Sequence, residues 1–412
     1  MGYTVIATQI YPASQNQWLE GKHLVRTSDG TPYVVMSPSG TTNLLIYKGN
    51  GSAPTSFALQ DDAHAPGGAN WSYLLSCAID GNDVIHIIQQ SGTAVYTMMY
   101  HTFNTYTDLY ETVDEVAVTP IYLDQRATIA VDYANKPHIA YIESTDSSYE
   151  HMTLAYTNRI SGSWKTPVQV LDVGECYWYY MRTDIVIDAN HIPFIGCHYI
   201  DNITDIAKVQ VGLGNANNAA SFTMTELSST LSPYVFNGEL SLGVDSEDDH
   251  YAIYGIFPSP APDYDDYFQV GFRKHVSGAS WATWSAYSIG IDRNDISGTE
   301  GVWMMWGLID GTDVHVFADT YTDGLIHVVN KSGVWGAFKA IPQPSDFSGR
   351  MAVGKYATWT DNDSTGNNRA FVGGRAEFDF MIQGRVAYSY YRDYWYSYSE
   401  KVNNRVMILE MG

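Results

Sequence analysis

The sequence predicts an all-β protein, a single seven-bladed β-propeller built from four-stranded antiparallel blades. Two observations lead to this prediction. One strand–turn–strand phrase recurs along the whole chain, and helical periodicity is sustained nowhere. The 412 residues, of which 45% are apolar, are also enough to fill one large closed β architecture.

The recurring phrase is an alternating apolar strand that ends in aspartate, followed by a short turn and a second strand. Its clearest copy runs from Ala127 to Asp132 and resumes from Pro137 to Tyr141. The repeated aspartates follow one another at intervals of about 55 residues. They are Asp29, Asp80, Asp132, Asp188, Asp245, Asp310 and Asp361. Seven units at this spacing predict a single domain over residues 1–412, with blades that begin near residues 22, 72, 125, 181, 238, 302 and 350.

The remaining strands of each unit follow the same plan. A third strand, such as the one that starts at Thr153, leads to a turn with Ser-Gly and Trp before the outer strand. Three such turns occupy residues 161–164, 277–281 and 332–335. Strand-like segments also stand at both ends, at residues 4–10 and 405–410. We expect pairing of the N- and C-terminal strands to close the ring, which would remove the open sheet edge.

The third repeat resembles a known group of propeller repeats. Its segments Ile129-Ala-Val-Asp132, Lys136-Pro-His-Ile-Ala-Tyr141 and Ser161-Gly-Ser-Trp164 resemble bacterial neuraminidase-like repeats, also called BNR or Asp-box-like repeats. The resemblance covers most of the chain and is close only in this repeat. The Asp-box of true sialidases, Ser-x-Asp-x-Gly-x-x-Trp, is absent. The resemblance therefore implies the fold and a bias towards carbohydrate ligands, and it does not imply sialidase activity.

The charge of the chain excludes several classes of partner. Acidic residues number 45 against 22 basic ones, which gives a formal net charge of −23. Nucleic-acid binding requires a basic footprint, and an anionic membrane surface is disfavoured for the same reason. No apolar run approaches the roughly 18 residues that a membrane-spanning helix needs. We therefore expect neither a nucleic-acid partner nor membrane insertion.

Cysteine content and the N-terminal sequence bear on the location of the protein. Cys77, Cys176 and Cys197 match neither a disulfide framework nor a zinc motif, so we expect buried thiols. The chain contains no basic segment followed by an apolar run before its first strand-like pattern. We expect an extracellular or virion-associated protein with no signal peptide in this chain.

Histidines recur at the start of the second strand of several units. His86, His138 and His315 stand five or six residues after a repeated aspartate. A residue that recurs once per blade is expected to stabilise the fold of each blade, so we interpret these histidines and the seven aspartates as structural. Their equivalent positions lie on different blades, which argues against a shared metal cluster.

Charged residues are predicted at the mouth of the central channel. Arg126, Arg182 and Glu239 stand six residues before a repeated aspartate, and Arg350 begins the corresponding strand of the last blade. Arginines that converge there could hold a carboxylate or sulfate in bidentate fashion. The alternative is that each arginine pairs with one of the many neighbouring carboxylates.

The crossover into the fourth blade, residues 175–182, is the most unusual stretch of the sequence. It contains four consecutive aromatic residues, Tyr177, Trp178, Tyr179 and Tyr180. Such rings offer apolar faces with polar edges, which suits stacking on sugars. The second strand of the same blade should place His198 or Tyr199 nearby.

These residues allow two interpretations. Tyr180, Arg182 and His198 could supply a base, an acid and a cation for a uronate carboxylate. Some polysaccharide lyases with seven-bladed propellers are similar in this respect. A plain aromatic binding surface explains the same residues.

Acidic loops crowd the same predicted face. Their field would repel a sulfated or uronic polymer, particularly at low salt. Such loops could instead bind Ca²⁺, for which Asp361, Asp363 and Thr365 are candidate ligands. Val372 stands where an EF-hand has its glutamate, so that motif is incomplete. We expect no required cofactor, with calcium as an open candidate.

The sequence is thus interpreted as a propeller that recognises glycans on its crossover-loop face. The candidate binding residues are Trp71, Arg126, Tyr177, Trp178, Tyr179, Tyr180, Arg182, His198, Tyr199, Glu239 and Trp303. The partner would be a polysaccharide or cell-surface glycan. The chain could belong to a phage tail or capsid surface, with other virion proteins as further partners. The alternative is a polysaccharide lyase or glycoside hydrolase of this fold, and a third interpretation is a purely structural virion decoration.

Overall fold

The computed structural model describes the parts of the chain that carry the repeated units. These are residues 3–5, 24–36, 44–51, 56–64, 72–91, 96–121, 127–144, 151–176, 181–204, 206–231, 240–256, 269–281, 283, 285–289, 302–310, 312–320, 324–331, 334–336, 339–340, 359–362, 368–374, 379–381 and 387–390. Within these ranges we find no helix of the length and apolar character needed to cross a membrane.

The strands of the first four sheets follow one another along the chain after a short N-terminal strand, β1 (Tyr3–Val5). The first sheet contains β2 (Leu24–Arg26), β3 (Pro32–Met36), β4 (Leu44–Gly49) and β5 (Phe57–His64). The second contains β6 (Ser72–Ile79), β7 (Val84–Ser91), β8 (Tyr96–Asn104) and β9 (Leu109–Ile121). The third contains β10 (Ala127–Val131), β11 (Pro137–Ser144), β12 (Met152–Asn158) and β13 (Val168–Gly174). The fourth contains β14 (Arg182–Ile187), β15 (Pro193–Asp201), β16 (Ile206–Gly214) and β17 (Phe222–Leu231).

Three more sheets complete the described structure. The fifth contains β18 (Leu240–Val244), β19 (His250–Ile256), β20 (Gln269–His275) and β21 (Ser285–Ile289). The sixth contains β22 (Val302–Asp310), β23 (Asp313–Thr320), β24 (Gly324–Lys331), β25 (Val334–Trp335) and β26 (Lys339–Ala340). The seventh joins β1 to β27 (Trp359–Asn362), β28 (Asn368–Gly374), β29 (Asp379–Met381) and β30 (Ala387–Tyr390).

The predicted all-β class with four-stranded antiparallel sheets is confirmed. Each of the first five sheets is a meander in which strands pair in sequence order. The seventh departs from the prediction, because β28 pairs with β30 in parallel while it pairs with β27 and β29 antiparallel. β1 pairs antiparallel with β30, with Tyr3 opposite Ser389. The other predicted terminal strand, residues 405–410, lies outside the described residues.

Successive sheets pack through their first strands, which run in the order β2, β6, β10, β14, β18 and β22. The core therefore lies in the seams between sheets. In the seam between the third and fourth sheets, Ile142 and Tyr156 meet Ile185, Ile195 and Cys197. All of these side chains are at most 1% exposed. Each sheet thus covers the apolar face of its neighbour.

The repeated aspartate organises the turn between the first and second strands. In the third sheet, Asp132 Oδ1 accepts the N–H groups of Ala134 at 2.9 Å and Lys136 at 2.8 Å. Equivalent pairs of bonds are made by Asp80, Asp188 and Asp245. Satisfying backbone donors with a carboxylate fixes the turn. The structural interpretation of these four aspartates is confirmed.

The first sheet departs from the predicted position of its aspartate. Backbone bonds join Thr27 N to Thr31 O at 3.0 Å and Gly30 N to Thr27 O at 2.8 Å, as they join the equivalent residues of the Asp132 turn. Thr27 therefore occupies the repeat position, and the assignment of Asp29 to it was wrong. Asp29 lies two residues later and accepts the N–H of Thr31 at 2.9 Å.

Histidine and tyrosine extend the aspartate turn into the core of the third sheet. His138 Nε2 lies 3.6 Å from Asp132 Oδ2, and His138 Nδ1 lies 2.7 Å from the hydroxyl of Tyr156. Burial opposes the charge of Asp132, but hydrogen bonds from His138, the backbone and Asn217 outweigh it and hold its pKa well below the usual range. Burial lowers the pKa of His138. The second sheet repeats this arrangement with Asp80, His86 and Tyr100.

A residue with positive φ in four of these turns connects each turn to the preceding one. The four residues are Asp83 (58°), Asn135 (61°), His191 (63°) and Asp248 (64°). The Asp248 carboxylate accepts the Ala189 N–H at 3.0 Å and the Asn190 side-chain amide at 2.8 Å. Asp83 accepts the Ser28 N–H, Asn135 accepts the Gly81 N–H, and His191 Nδ1 lies 3.4 Å from Asp132 Oδ2. We call these contacts the turn-to-turn links.

The turn-to-turn link at Asp248 can be tested by substitution. We expect Asp248→Ala to lower the free energy of unfolding by about 1–2 kcal/mol, because alanine loses both hydrogen bonds and strains the positive φ. Asp248→Asn should lose much less, since asparagine tolerates this φ and keeps an acceptor oxygen. Denaturant unfolding monitored by tryptophan fluorescence measures both values. Equal losses for the two variants would contradict a role for the link.

Candidate functional site

Three of the predicted site residues have described side chains, namely Arg182, His198 and Tyr199. Trp303 lies in β22 and Asp361 in β27, and for these two residues the structure describes the backbone alone. The remaining candidates lie outside the described residues and stay predictions. They are Trp71, Arg126, Tyr177, Trp178, Tyr179, Tyr180, Glu239, Asp363 and Thr365.

Arg182 and His198 lie directly opposite each other in the fourth sheet. Arg182 is the first residue of β14, and its cross-strand partner on β15 is His198. Side chains of directly opposed residues share one face of the sheet, with Cβ atoms about 5 Å apart. Both residues are only 1% exposed. The structure thus brings together the predicted cation and one of the two predicted proton-transfer residues.

This face of the fourth sheet looks into the seam with the fifth sheet. Val186 and Phe194 lie on the same face as Arg182 and His198, and they pack against Leu240, Leu242 and Tyr254. We call this interface the 4–5 seam. Arg182 Nη1 donates to the backbone oxygen of Met181 at 2.7 Å.

Tyr199 lies on the opposite face of the fourth sheet and packs towards the third. Its hydroxyl accepts a hydrogen bond from Gln210 Nε2 at 2.8 Å, and Lys208 Nζ lies 5.9 Å from the centre of its ring. Burial raises its pKa. The structure therefore separates Tyr199 from the Arg182–His198 pair, because adjacent residues of a strand point to opposite faces.

Asp184 is a third polar residue on the Arg182 face, and it was not among the predicted site residues. Its cross-strand position is Gly196, where an added Cβ would lie 3.1 Å from Leu240 Cδ2 and 3.0 Å from the Gln210 backbone oxygen. Asp184 Oδ2 accepts the Leu242 N–H of the fifth sheet at 2.9 Å. The residue is 3% exposed. Its position four residues before the repeated aspartate is the sequence signal that could have identified it.

The far wall of the 4–5 seam carries a tyrosine and an arginine. Arg273 Nε donates to the Tyr254 hydroxyl at 3.0 Å, and Arg273 Nη2 donates to the Leu227 backbone oxygen at 3.1 Å. Arg273 thus joins the fifth sheet to β17 of the fourth. Burial raises the pKa of Tyr254 against the opposing effect of Arg273.

The aromatic crossover is held at both of its ends. Cys176 forms an isolated bridge with Asp201 at the end of β15, and Asn202 N donates to the Glu175 backbone oxygen at 3.2 Å. Cys176 Sγ lies 3.1 Å from Met181 Sδ, and both residues are buried. The residues on either side of the aromatic run, Cys176 and Met181, therefore lie beside the end of the fourth sheet at which β14 begins and β15 ends, which we call its upper end. All three cysteines are buried thiols, as predicted.

One group of carboxylates among the described residues has a geometry that could hold a metal ion. Oxygen atoms of Asp245, Glu247 and Asp249 lie within 4.8 Å of one another. Lys274 Nζ, however, lies 2.6 Å from Asp249 Oδ2 and 3.9 Å from Asp245 Oδ2. Burial would lower the pKa of Lys274, but hydrogen bonds with Asp249 and Tyr251 outweigh burial and raise it. A protein cation already compensates this group.

Comparison with known proteins gives similarity in structure alone. No protein-family model and no curated protein matches the sequence. Among solved structures, an ulvan lyase of polysaccharide lyase family PL25, bound to -[GlcA(1-4)Rha3S]-, superimposes with a TM-score of 0.59 at 10% identity, covering 94% of this chain and 96% of that chain. A second PL25 ulvan lyase structure gives 0.58 with the same identity and coverage.

A Penicillium chrysogenum α-L-arabinanase complexed with arabinobiose gives a TM-score of 0.47 at 10% identity, over 77% of this chain and 93% of that chain. The chain shares a propeller-like fold with the PL25 lyase. At this level of identity the likeness extends to the fold and no further.

Substitution of Lys274 tests whether it compensates the Asp245–Asp249 group. Lys274→Met keeps the length of the side chain and removes its charge, which leaves two buried carboxylates without their cation. We expect the free energy of unfolding to fall by about 2–3 kcal/mol. Lys208→Met is a matched control at a more exposed pair with Asp201 and should cost less than about 1 kcal/mol. Equal effects of the two substitutions would contradict this assignment.

Proposed function

We propose that the protein is a polysaccharide lyase that cleaves uronate-containing glycans at the upper end of the 4–5 seam. The observation that carries the proposal is the direct opposition of Arg182 and His198 on β14 and β15. A guanidinium can neutralise the carboxylate of a uronate, which makes the proton on the neighbouring carbon easier to remove. A neutral imidazole is a suitable base for that proton near neutral pH.

The proposed reaction is a β-elimination. His198 takes the proton from C5 of the uronate, the electron pair of that C–H bond forms the C4=C5 double bond, and the bond from C4 to the glycosidic oxygen breaks. The departing oxygen receives a proton from an acid, for which Tyr180 remains the candidate predicted from the sequence. The products are an unsaturated uronate end and a new hydroxyl end, so atoms and charges balance.

Burial adds a condition to this proposal. Arg182 and His198 are each 1% exposed, so a uronate reaches them only when substrate binding opens the upper end of the seam. The aromatic crossover starts and finishes beside this end of the fourth sheet, which supports a role for Tyr177, Trp178, Tyr179 and Tyr180 in sugar binding. Arg126, Glu239, Trp71 and Trp303 are proposed to extend the binding surface.

We also propose that the described sheets are the blades of a seven-bladed ring with Asp-box-like repeats. The chain of contacts between first strands from β2 to β22 supports a circular arrangement. The pairing of β1 with β30 supports closure by the N-terminal strand. The PL25 ulvan lyase, which has a similar fold, was solved with a ligand that contains glucuronate, and this supports the choice of substrate class.

Glycan recognition without turnover is the competing proposal. In that case the protein would be a receptor-binding or structural component of a virion, extracellular and with virion partners, and calcium could serve as a structural ion. The lyase proposal is favoured because stacking on a sugar needs only aromatic rings, whereas the pair of Arg182 and His198 supplies a cation and a base on one face of the sheet. Analysis of the products formed from uronic polymers separates the two proposals.

The test of lyase activity uses a panel of neutral, uronic and sulfated uronic polysaccharides. We expect unsaturated products, detected by ultraviolet absorbance and mass analysis, from at least one uronic polymer. His198→Asn and Arg182→Lys should each lower kcat/KM by about 100-fold or more, because one loses the base and the other the planar guanidinium. Arg159→Lys, which alters an ion pair with Glu115 at the far end of the third sheet, is the matched control and should stay within about twofold.

Two outcomes would overturn the lyase proposal. Products that have gained water would indicate a hydrolase, and binding without any product would favour the recognition alternative. Full activity of both His198→Asn and Arg182→Lys would place the reaction elsewhere in the protein.

The net charge of −23 predicts an unusual salt dependence. A uronic polymer is repelled by the acidic surface, and raising ionic strength from about 0.01 M to 0.15 M shortens the Debye length from roughly 30 Å to 8 Å. We expect KM for a long uronic polymer to fall several-fold over this range, because contacts in the buried seam are screened less than the surface repulsion. Steady-state kinetics with a short oligouronate, which should respond less, provide the comparison. A rise in KM with salt would indicate a basic substrate groove instead.

A further inference from the structure

Neighbouring sheets are connected by a hydrogen bond to one position of the first strand. This position lies four residues before the repeated aspartate. In the fifth sheet Ser241 occupies this position, and its hydroxyl accepts the Gly307 N–H of the sixth sheet at 3.1 Å. In the fourth sheet Asp184 occupies it and accepts the Leu242 N–H of the fifth sheet at 2.9 Å. A hydroxyl group is therefore sufficient for this inter-sheet link. The carboxylate at Asp184 exceeds what the link requires.

The additional charge of Asp184 lies on the face that carries the proposed reaction. Arg182 precedes it by two residues on the same strand, so both side chains point into the 4–5 seam. His198 is its diagonal neighbour across the strand pair, a relation that places two side chains within reach of each other. Gly196, directly opposite, contributes no side chain between them.

Few other charged or titratable groups of the described residues face this seam. β16 and β17 place Lys208, Gln210 and Glu226 on the opposite face of the fourth sheet, and β18 carries no titratable side chain. The fifth sheet contributes Tyr254 and Arg273 to the upper part of the seam. At the lower end, His250 Nε2 lies 3.6 Å from Asp188 Oδ2, with His275 beside it. Asp184 is thus the carboxylate nearest in strand register to His198 among the described groups of the seam.

We propose that Asp184 is a positioning residue that acts through His198, whose imidazolium form it stabilises beside Arg182 on the same face of the fourth sheet. This inference rests on the lyase function proposed above. When His198 takes the substrate proton it becomes a cation in a buried seam beside Arg182. A carboxylate on the same face offsets both positive charges, which would otherwise be costly to bury. The carboxylate is itself held by the backbone N–H groups of Leu242 and Ile185, so its orientation is fixed before substrate arrives.

The kinetic test uses Asp184→Ser, which reproduces the residue found at the equivalent position of the fifth sheet. We expect the variant to fold, because the serine hydroxyl can still accept the Leu242 N–H, and to unfold at a lower denaturant concentration than the parent protein, because Arg182 loses the carboxylate that offsets its charge. We expect kcat to fall about 10–100-fold, with KM changed by less than about threefold. The acidic limb of the pH profile of kcat/KM should move down by about one pH unit, because loss of a nearby negative charge disfavours the imidazolium.

Two further variants control this experiment. Asp184→Asn keeps an acceptor of the same shape without charge and should behave as Asp184→Ser does, so it carries the test if the serine variant folds poorly. Ser241→Ala removes the equivalent link from the next seam. It should lower the denaturant concentration at the unfolding midpoint without moving the pH profile. An unshifted profile in both Asp184 variants overturns the inference.

A second measurement does not depend on catalysis. Histidine NMR titration of the whole protein follows His198, whose signal is assigned by its loss in His198→Asn. We expect its titration midpoint to fall by about one pH unit in Asp184→Ser. An unchanged midpoint overturns the positioning role whatever the activity. A shifted midpoint in a protein that yields no unsaturated product leaves the positioning role standing and removes the lyase function.

Discussion

The contact between the first strands of neighbouring sheets is the interaction on which the other features of this structure depend. A four-stranded sheet with two apolar faces cannot be stable in water alone, so each must be covered by the next. The same contact brings the Leu242 N–H within hydrogen-bonding distance of Asp184 and the Gly307 N–H within reach of Ser241. An added Cβ at Gly307 would overlap with the side chain of Ile253, so the closeness of the fifth and sixth sheets requires glycine there. The packing that forms the core thus also forms the candidate site.

The strands and turns were predictable because their signals are local. In four turns the aspartate bonds to the N–H groups two and four residues later, so residues close in sequence, such as Asp132 to Lys136, determine the turn. Thr27 shows the limit of that reasoning. Threonine can take the repeat position that aspartate takes in other sheets. Asp29 matches the repeated residue type, but it lies two residues after that position.

The candidate site was predictable only in part, since it depends on strand register and on contacts between sheets. The opposition of Arg182 and His198 follows from the shortness of the turn between β14 and β15, which a sequence indicates approximately. Which face each residue occupies requires the register itself, because a shift of one residue reverses it. Tyr199 was grouped with His198 for this reason, and Asp184 was missed because its partner, Leu242, lies in the next sheet.

The protein handles buried charge in two contrasting ways. At Asp245 and Asp249 two carboxylates converge on Lys274, which compensates them with a cation from the same sheet. In the upper part of the 4–5 seam the described groups include two cations, Arg182 on one wall and Arg273 on the other, and one carboxylate, that of Asp184. A chain with a net charge of −23 thus keeps cationic side chains in an inter-sheet seam. An anionic group is repelled by the acidic surface of the protein and is attracted by the arginines once it enters that seam.

The turn-to-turn links all run the same way along the chain, from one turn to the turn that precedes it. Asp83, Asn135 and Asp248 each reach back to the turn before their own. Each link therefore joins only neighbouring units. The free energy of unfolding is then approximately the sum of the contributions of the units and of the contacts between neighbours. A gene that gained or lost one unit would change the number of these contacts and would leave the type of contact unchanged. Such an architecture allows units to be added or removed by duplication while the contacts within each remaining seam stay intact.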